Sequence, residues 1–226
     1  IFEPNENEHT FVTAISDNLP YERIFRSDAS LDGVDNFGLL GAWSLTKSAD
    51  EKYLYVASYK SNDIAILNRD KNQTLVFDRV ISSDFNEKLD LGSPVSVASF
   101  HNGEYEELAI AGFEGNQVSI VSQLANGKHH LNQVIQNGVN KVTQLVNPQK
   151  VVYSNNGAFF YVASAGSNTI SVFKRTNNLF QQIQVVTNDD IGGKGLSGVG
   201  SLALSSDSTM LFAAGEKDVG IVYFDV

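Results

Sequence analysis

Clustered aspartates, three aromatic rings and four histidines are the side chains of this 226-residue chain whose types and spacing could support chemistry. Asp28, Asp32 and Asp35 fall within one Gly- and Asn-containing stretch, Asp84 and Asp90 flank Glu87 in a second, and Asp189 and Asp190 are adjacent in a third. Several carboxylates brought to a shared opening favour a hard, oxygen-seeking cation such as Ca²⁺, or an amine. None of the three stretches has EF-hand spacing, and nothing in the pattern requires a cofactor. Tyr59, Phe113 and Trp43 could supply aromatic contacts to a sugar or peptide, while Trp43 also suits a core position on an inner strand. His129 and His130 make a poor metal pair, because adjacent residues of a strand point to opposite faces. Gly193-Lys-Gly-Leu-Ser-Gly198 satisfies G-x-G-x-x-G, but the fingerprint needs a helix after it, and Ser201 to Leu204 reads as a strand. No G-x-S-x-G or H-E-x-x-H element is present.

The elements that must position these groups repeat. Tyr53-Leu-Tyr-Val-Ala-Ser58, Glu107-Leu-Ala-Ile-Ala-Gly112, Phe159-Phe-Tyr-Val-Ala-Ser164 and Met210-Leu-Phe-Ala-Ala-Gly215 start about 50 residues apart. Each is followed by a second apolar run, beginning at Asp63, Gln117, Thr169 and Val219, and preceded by a third, beginning at Ala42, Val95, Lys150 and Gly200. A fourth run follows in three of the units, at Leu75 to Ile81, His130 to Gln136 and Phe180 to Val186. Val, Ile, Tyr and Phe fill these runs, and Asn, Asp, Gly and Ser bound them, which is the pattern of strands joined by turns.

Four antiparallel strands in about 50 residues form the blade of a β-propeller, so the expected fold is all-β, a β-propeller of about four four-stranded antiparallel blades in a single domain over 1–226. The units run roughly over 38–91, 92–147, 148–196 and 197–226, the last combined with 11–36. With strands named A to D from the axis outward, Phe11 to Asp17 reads as a C strand and Tyr21 to Ser27 as a D strand. Three arrangements follow: Tyr21 to Ser27 completes the last blade and closes the ring, the chain is an arc of a larger ring, or closure needs a second copy. The chain opens at Ile1, which fits removal of a leader or of a larger preceding region, or excision from something longer.

Composition narrows the partners. With 16 Lys+Arg against 26 Asp+Glu, the net charge of -10 argues against phosphate backbones, which call for clustered basic side chains. No apolar run reaches the roughly 20 residues needed to cross a bilayer, so no membrane insertion is expected. With no Cys there are neither disulfides nor thiolate metal sites. A protein, a glycan or a small molecule remains as the partner.

At Leu54-Tyr-Val-Ala-Ser58 with Asn62-Asp-Ile-Ala-Ile66, and at Tyr161-Val-Ala-Ser164 with Ser167-Asn-Thr-Ile-Ser-Val-Phe173, the chain resembles the YVTN and lactonase-like propeller repeats of bacterial and archaeal surface proteins. Gly38-Leu-Leu-Gly-Ala42 and Gly195-Leu-Ser-Gly198, each leading into an A strand, resemble the same repeats, and the likeness covers about 40 to 226. It implies a propeller, and a family containing both sugar-lactone hydrolases and surface or adhesion modules. Propeller ligands usually meet the face carrying the D-to-A and B-to-C connections, where the acidic loops and Tyr59, Phe113 and Trp43 would lie. His101 falls in an A-to-B turn, His129 and His130 at a C-to-D connection and His9 in the N-terminal segment, so no histidine reaches that face. A hydrolase would gather base or metal ligands there. The expected function is therefore a noncatalytic binding or scaffold module, secreted, periplasmic or at the bacterial cell surface, with a lactonase-like hydrolase as the alternative.

Overall fold

The computed structural model describes residues 37–72, 74–82, 89–123, 128–218 and 220–226. Over these residues the chain builds three four-stranded antiparallel sheets and one of three strands, each in simple sequential order. The first contains β1 (Ala42–Lys47), β2 (Tyr53–Ser58), β3 (Asp63–Arg69) and β4 (Leu75–Ile81), and the second β5 (Pro94–His101), β6 (Glu106–Gly112), β7 (Gln117–Gln123) and β8 (His129–Gln136). The third contains β9 (Pro148–Tyr153), β10 (Phe159–Ser164), β11 (Thr169–Thr176) and β12 (Leu179–Val186). The last holds β13 (Val199–Leu204), β14 (Met210–Gly215) and β15 (Ile221–Asp225). The only helical element among the described residues is the single 3-10 turn Asp189–Ile191. Tyr21 to Ser27, expected as a closing strand, and Phe11 to Asp17 lie outside the described residues.

The sheets stack as blades around an axis lined by the first strand of each. β1 packs beside β5, β5 beside β9 and β9 beside β13. Three apolar layers hold the stack together. Tyr55, Ile64 and Ile66 of the first blade meet Val97, Leu108 and Val121 of the second, Ala109 and Ile120 meet Phe160, Phe173 and Phe180 of the third, and Tyr161 and Ile170 meet Leu202, Leu211 and Ala213 of the fourth. The second blade has a described neighbour on each side, and its β6 and β7 are buried along their whole length. Trp43, which suits the core on sequence grounds, is instead 64% exposed on β1, because the first blade has no described neighbour on that side.

Irregularities recur with the repeat. The register slips between the first and second residues paired in every A-B ladder, at Ala42/Ser44, Pro94/Ser96, Ala163/Ser164 and Val199/Ser201. A bulge at an equivalent place bends each blade alike and increases its twist. The turns between B and C strands repeat a second device. Asn62, Asn116 and Asn168 all adopt positive φ, a conformation Asn tolerates better than most residues. From there Oδ1 of each accepts the backbone N–H of the loop entering the next blade: Ser93 at 2.8 Å, Asn147 at 2.8 Å and Gly198 at 2.7 Å. These bonds clasp successive blades on the face opposite the A-to-B turns. Replacing Asn116 with Ala removes the acceptor and places a β-carbon without compensation in the left-handed region, and is expected to cost about 1–3 kcal/mol. Chemical denaturation should show a lower midpoint with an unchanged slope; Asn116→Asp, which keeps an acceptor, should lose less.

Candidate functional site

On the face formed by the D-to-A and B-to-C connections, the three aromatics come together in a row. The Trp43 and Tyr59 rings are 6.3 Å apart and tilted, and Tyr59 and Phe113 are 6.3 Å apart edge to face. Tyr59 and Phe113 each immediately follow a B strand in adjacent blades, so the repeat itself aligns them. The Tyr59 hydroxyl donates to Oε1 of Glu114, and the other carboxylate oxygen accepts the Ser93 hydroxyl at 3.0 Å. The Tyr59 hydrogen bond, with that of Ser93, holds the Glu114 carboxyl below its ordinary range.

Of the seven acids, Asp90, Asp189 and Asp190 are among the described residues. Asp90 Oδ1 accepts from the Asn62 amide at 3.1 Å and the Gly92 N–H at 2.9 Å. Asp190 Oδ2 accepts both the N–H and the hydroxyl of Thr187 at 2.8 Å, which lowers its pKa, while Asp189 sits in the 3-10 turn. Asp28, Asp32, Asp35 and Asp84 lie outside the described residues. Among the described residues, no group of three or more His, Asp or Glu side chains could hold a metal.

A cleft of about 470 Å³ opens on the other face, between the second and third blades, within the size range of small-molecule sites. Phe100, Asn102, Tyr105 and Glu107 come from the A-to-B corner of the second blade, and His130 and Asn132 from β8. The third blade adds Asn156, Arg175 and Asn178. Strand alternation sorts the two histidines: His130 and Asn132 face the cleft, whereas His129 points away and is half-buried, with its Nε2 enclosed. Burial, assisted by repulsion from Arg79, lowers the His129 pKa to about 4.

A charged cluster forms the cleft floor. Glu107, 3% exposed, accepts from Arg175 Nη2 at 2.6 Å on Oε1 and from Nη1 at 3.2 Å on Oε2. The Tyr153 hydroxyl adds a third bond to Oε1 at 2.9 Å, and burial, then the Glu107 charge, keeps that hydroxyl protonated far above the ordinary range. Arg175 Nε donates to the Gly157 carbonyl at 3.0 Å, and the guanidinium lies 4.2 Å from the Phe180 ring centroid. Sequence reasoning passed over this cluster. Its signal was a Glu at position 107, where the other three repeats begin the same strand with Tyr53, Phe159 and Met210.

Four-stranded blades stacked by apolar layers, with a polar cleft between two of them, define a β-propeller. Residues 42–226 match the family described as Lactonase, 7-bladed beta-propeller, and the chain belongs to that family. No curated protein sequence matches it. Among solved structures it is similar to a protein from Lactobacillus plantarum, with a TM-score of 0.64 and 16% identity, covering 81% of this chain and 50% of that one. It is similar also to the periplasmic gluconolactonase PpgL of Pseudomonas aeruginosa, at 0.61 and 22%, covering 82% and 53%. A candidate 6-phosphogluconolactonase from Bacteroides uniformis gives 0.58 and 18%, covering 80% and 52%. The chain spans about half the length of these relatives, and identities this low establish the shared fold.

Proposed function

We propose that this chain belongs to a sugar-lactone hydrolase and that its ligand enters the cleft between the second and third blades. This reverses the order of the two functions expected from the sequence, because the matching family is a lactonase family. The observation that carries the reading is the cleft lining in a chain of that family: an imidazole, His130, beside side-chain amides able to donate hydrogen bonds, over an aromatic face, Phe100. In lactone hydrolysis water adds to the ring carbonyl while a base takes its proton, the ring C–O bond breaks, and the departing oxygen recovers a proton to give the open hydroxy acid. His130 is assigned the proton transfer, as the side-chain type best suited to exchange a proton near neutral pH. Asn102 and Asn156 present amide donors toward the charge that develops on the carbonyl oxygen. Export to the periplasm or cell surface belongs to the same proposal, supported by the likeness to the periplasmic gluconolactonase.

The test is the initial rate of hydrolysis of five- and six-membered sugar lactones, above the buffer rate, with and without divalent cations. His130→Gln should lower kcat by about a hundredfold at an unchanged melting temperature. Absence of hydrolysis by the unaltered chain would overturn the reading. A noncatalytic binding module is the second reading, favoured by the row of Trp43, Tyr59 and Phe113 on the opposite face. A YVTN-type surface role belongs with that second reading.

A further inference from the structure

We propose that the cleft selects an uncharged polyol, so that its ligand is an unphosphorylated sugar lactone rather than a phosphorylated one. The inference rests on the hydrolase reading for the word lactone; the recognition of an uncharged polyol stands on the cleft alone. Of the described lining residues, Arg175 is the only permanent cation. Its guanidinium is committed on three sides, through Nη1 and Nη2 to the two oxygens of Glu107 and through Nε to the Gly157 carbonyl. A phosphate entering the cleft would therefore meet a neutral ion pair. Two N–H groups of Arg175 remain, but a phosphate taking them would share a guanidinium whose charge Glu107 already balances, and drawing Arg175 away from Glu107 would leave that buried carboxylate without its counter-charge. A phosphomonoester carries about -1.5 to -2 charges at neutral pH, and the net charge of -10 on the chain adds long-range repulsion.

The remaining polar groups suit hydroxyls, which both donate and accept. Asn102 Oδ1 is occupied by the N–H groups of Glu104 and Tyr105, both at 2.9 Å, which leaves its amide NH₂ as the donor. Asn156 repeats the arrangement one blade on, with Oδ1 accepting from Ser154 Oγ at 2.8 Å and Ala158 N at 3.0 Å. Asn132 is reversed: its amide donates to Ser122 Oγ at 2.5 Å, leaving the carbonyl oxygen as an acceptor. Asn178, held at positive φ, completes a rim of four amides. Phe100 supplies an apolar face for the C–H side of a ring. Fixed neutral donors and acceptors around one aromatic face make a site for a polyhydroxylated ring.

The experiment compares D-glucitol with D-glucitol 6-phosphate by saturation-transfer NMR on the whole chain, and separately compares hydrolysis of gluconolactone with that of its 6-phosphate. Glucitol is expected to bind about tenfold or more tightly than its phosphate, and gluconolactone to show the higher kcat/KM by a similar factor. Asn178→Gly, which keeps the positive φ while removing the amide, should weaken glucitol binding without shifting the melting temperature. Glu107→Gln, which releases the Arg175 charge, should move the preference toward the phosphate. Equal or tighter binding of the phosphate, or no binding of either probe, would overturn the proposal. Binding of glucitol without hydrolysis of any lactone would uphold the polyol site and sink the hydrolase reading instead.

Discussion

Replacing Arg175 with Leu while Glu107 stays in place is expected to cost about 3–5 kcal/mol of unfolding free energy. The reason is asymmetry. Glu107 is 3% exposed and relies on Arg175 for two of its hydrogen bonds, so the variant leaves a buried carboxylate with the Tyr153 hydroxyl as its remaining partner. The same substitution removes the guanidinium from the Phe180 face, a cation-π contact worth about 0.5–2 kcal/mol within that total. Urea denaturation of the two single variants and of Arg175→Leu with Glu107→Leu measures the coupling. The double variant should recover part of the loss, because it removes both charges instead of stranding one. If each single change costs under about 1 kcal/mol, the pair behaves as an exposed ion pair and the buried-lock description fails. Because three of the four groups belong to the third blade and Glu107 to the second, the lock also fixes the width of the cleft.

A second large effect depends on pH. The His129 imidazole is held neutral by burial, with Arg79 adding repulsion, so its pKa drops from 6.5 to about 4. Its Nε2 is buried and has no hydrogen-bond partner among the described residues. A base whose folded pKa is depressed contributes nothing unfavourable above its unfolded pKa. As the pH falls from 6.5 toward 4, the unfolded chain takes up a proton that the folded chain refuses, and stability declines; below about 4 the loss levels off near 3 kcal/mol. Denaturation midpoints at pH 7, 5 and 4 should therefore fall more steeply for the unaltered chain than for His129→Leu. Parallel pH profiles would show that His129 is solvated in the folded state. His130 faces the cleft, and His130→Gln should leave this acid dependence in place.

The strand pattern was legible because it is local. Tyr53–Ser58, Phe159–Ser164 and Met210–Gly215 have the same bounds in sequence and structure, since each run is apolar between polar turns. The edges that moved did so by one or two residues, as at Pro94 and Pro148, where a proline opens a strand that pairing carries further back. The divergence of His129 and His130 was also readable, since alternation requires only that the segment be a strand. Trp43 was not, because its exposure depends on whether another blade covers β1, which no property of the residue itself records.

The sequence by itself determined the blade: the period near 50 residues, the four runs in it, and the alignment of Tyr59 with Phe113, all of which follow from chain-local periodicity repeated in register. Only the tertiary structure decided which charges meet. Glu107 and Arg175 are 68 residues apart, and they pair because neighbouring blades stack face to face at a distance set by Phe160, Phe173 and Phe180. It likewise decided that a polar cleft opens beside the A-to-B turns, between the second and third blades. Side-chain direction across a blade interface depends on the packing of two sheets at once, and a one-dimensional pattern carries the period of each sheet but not the fit between them.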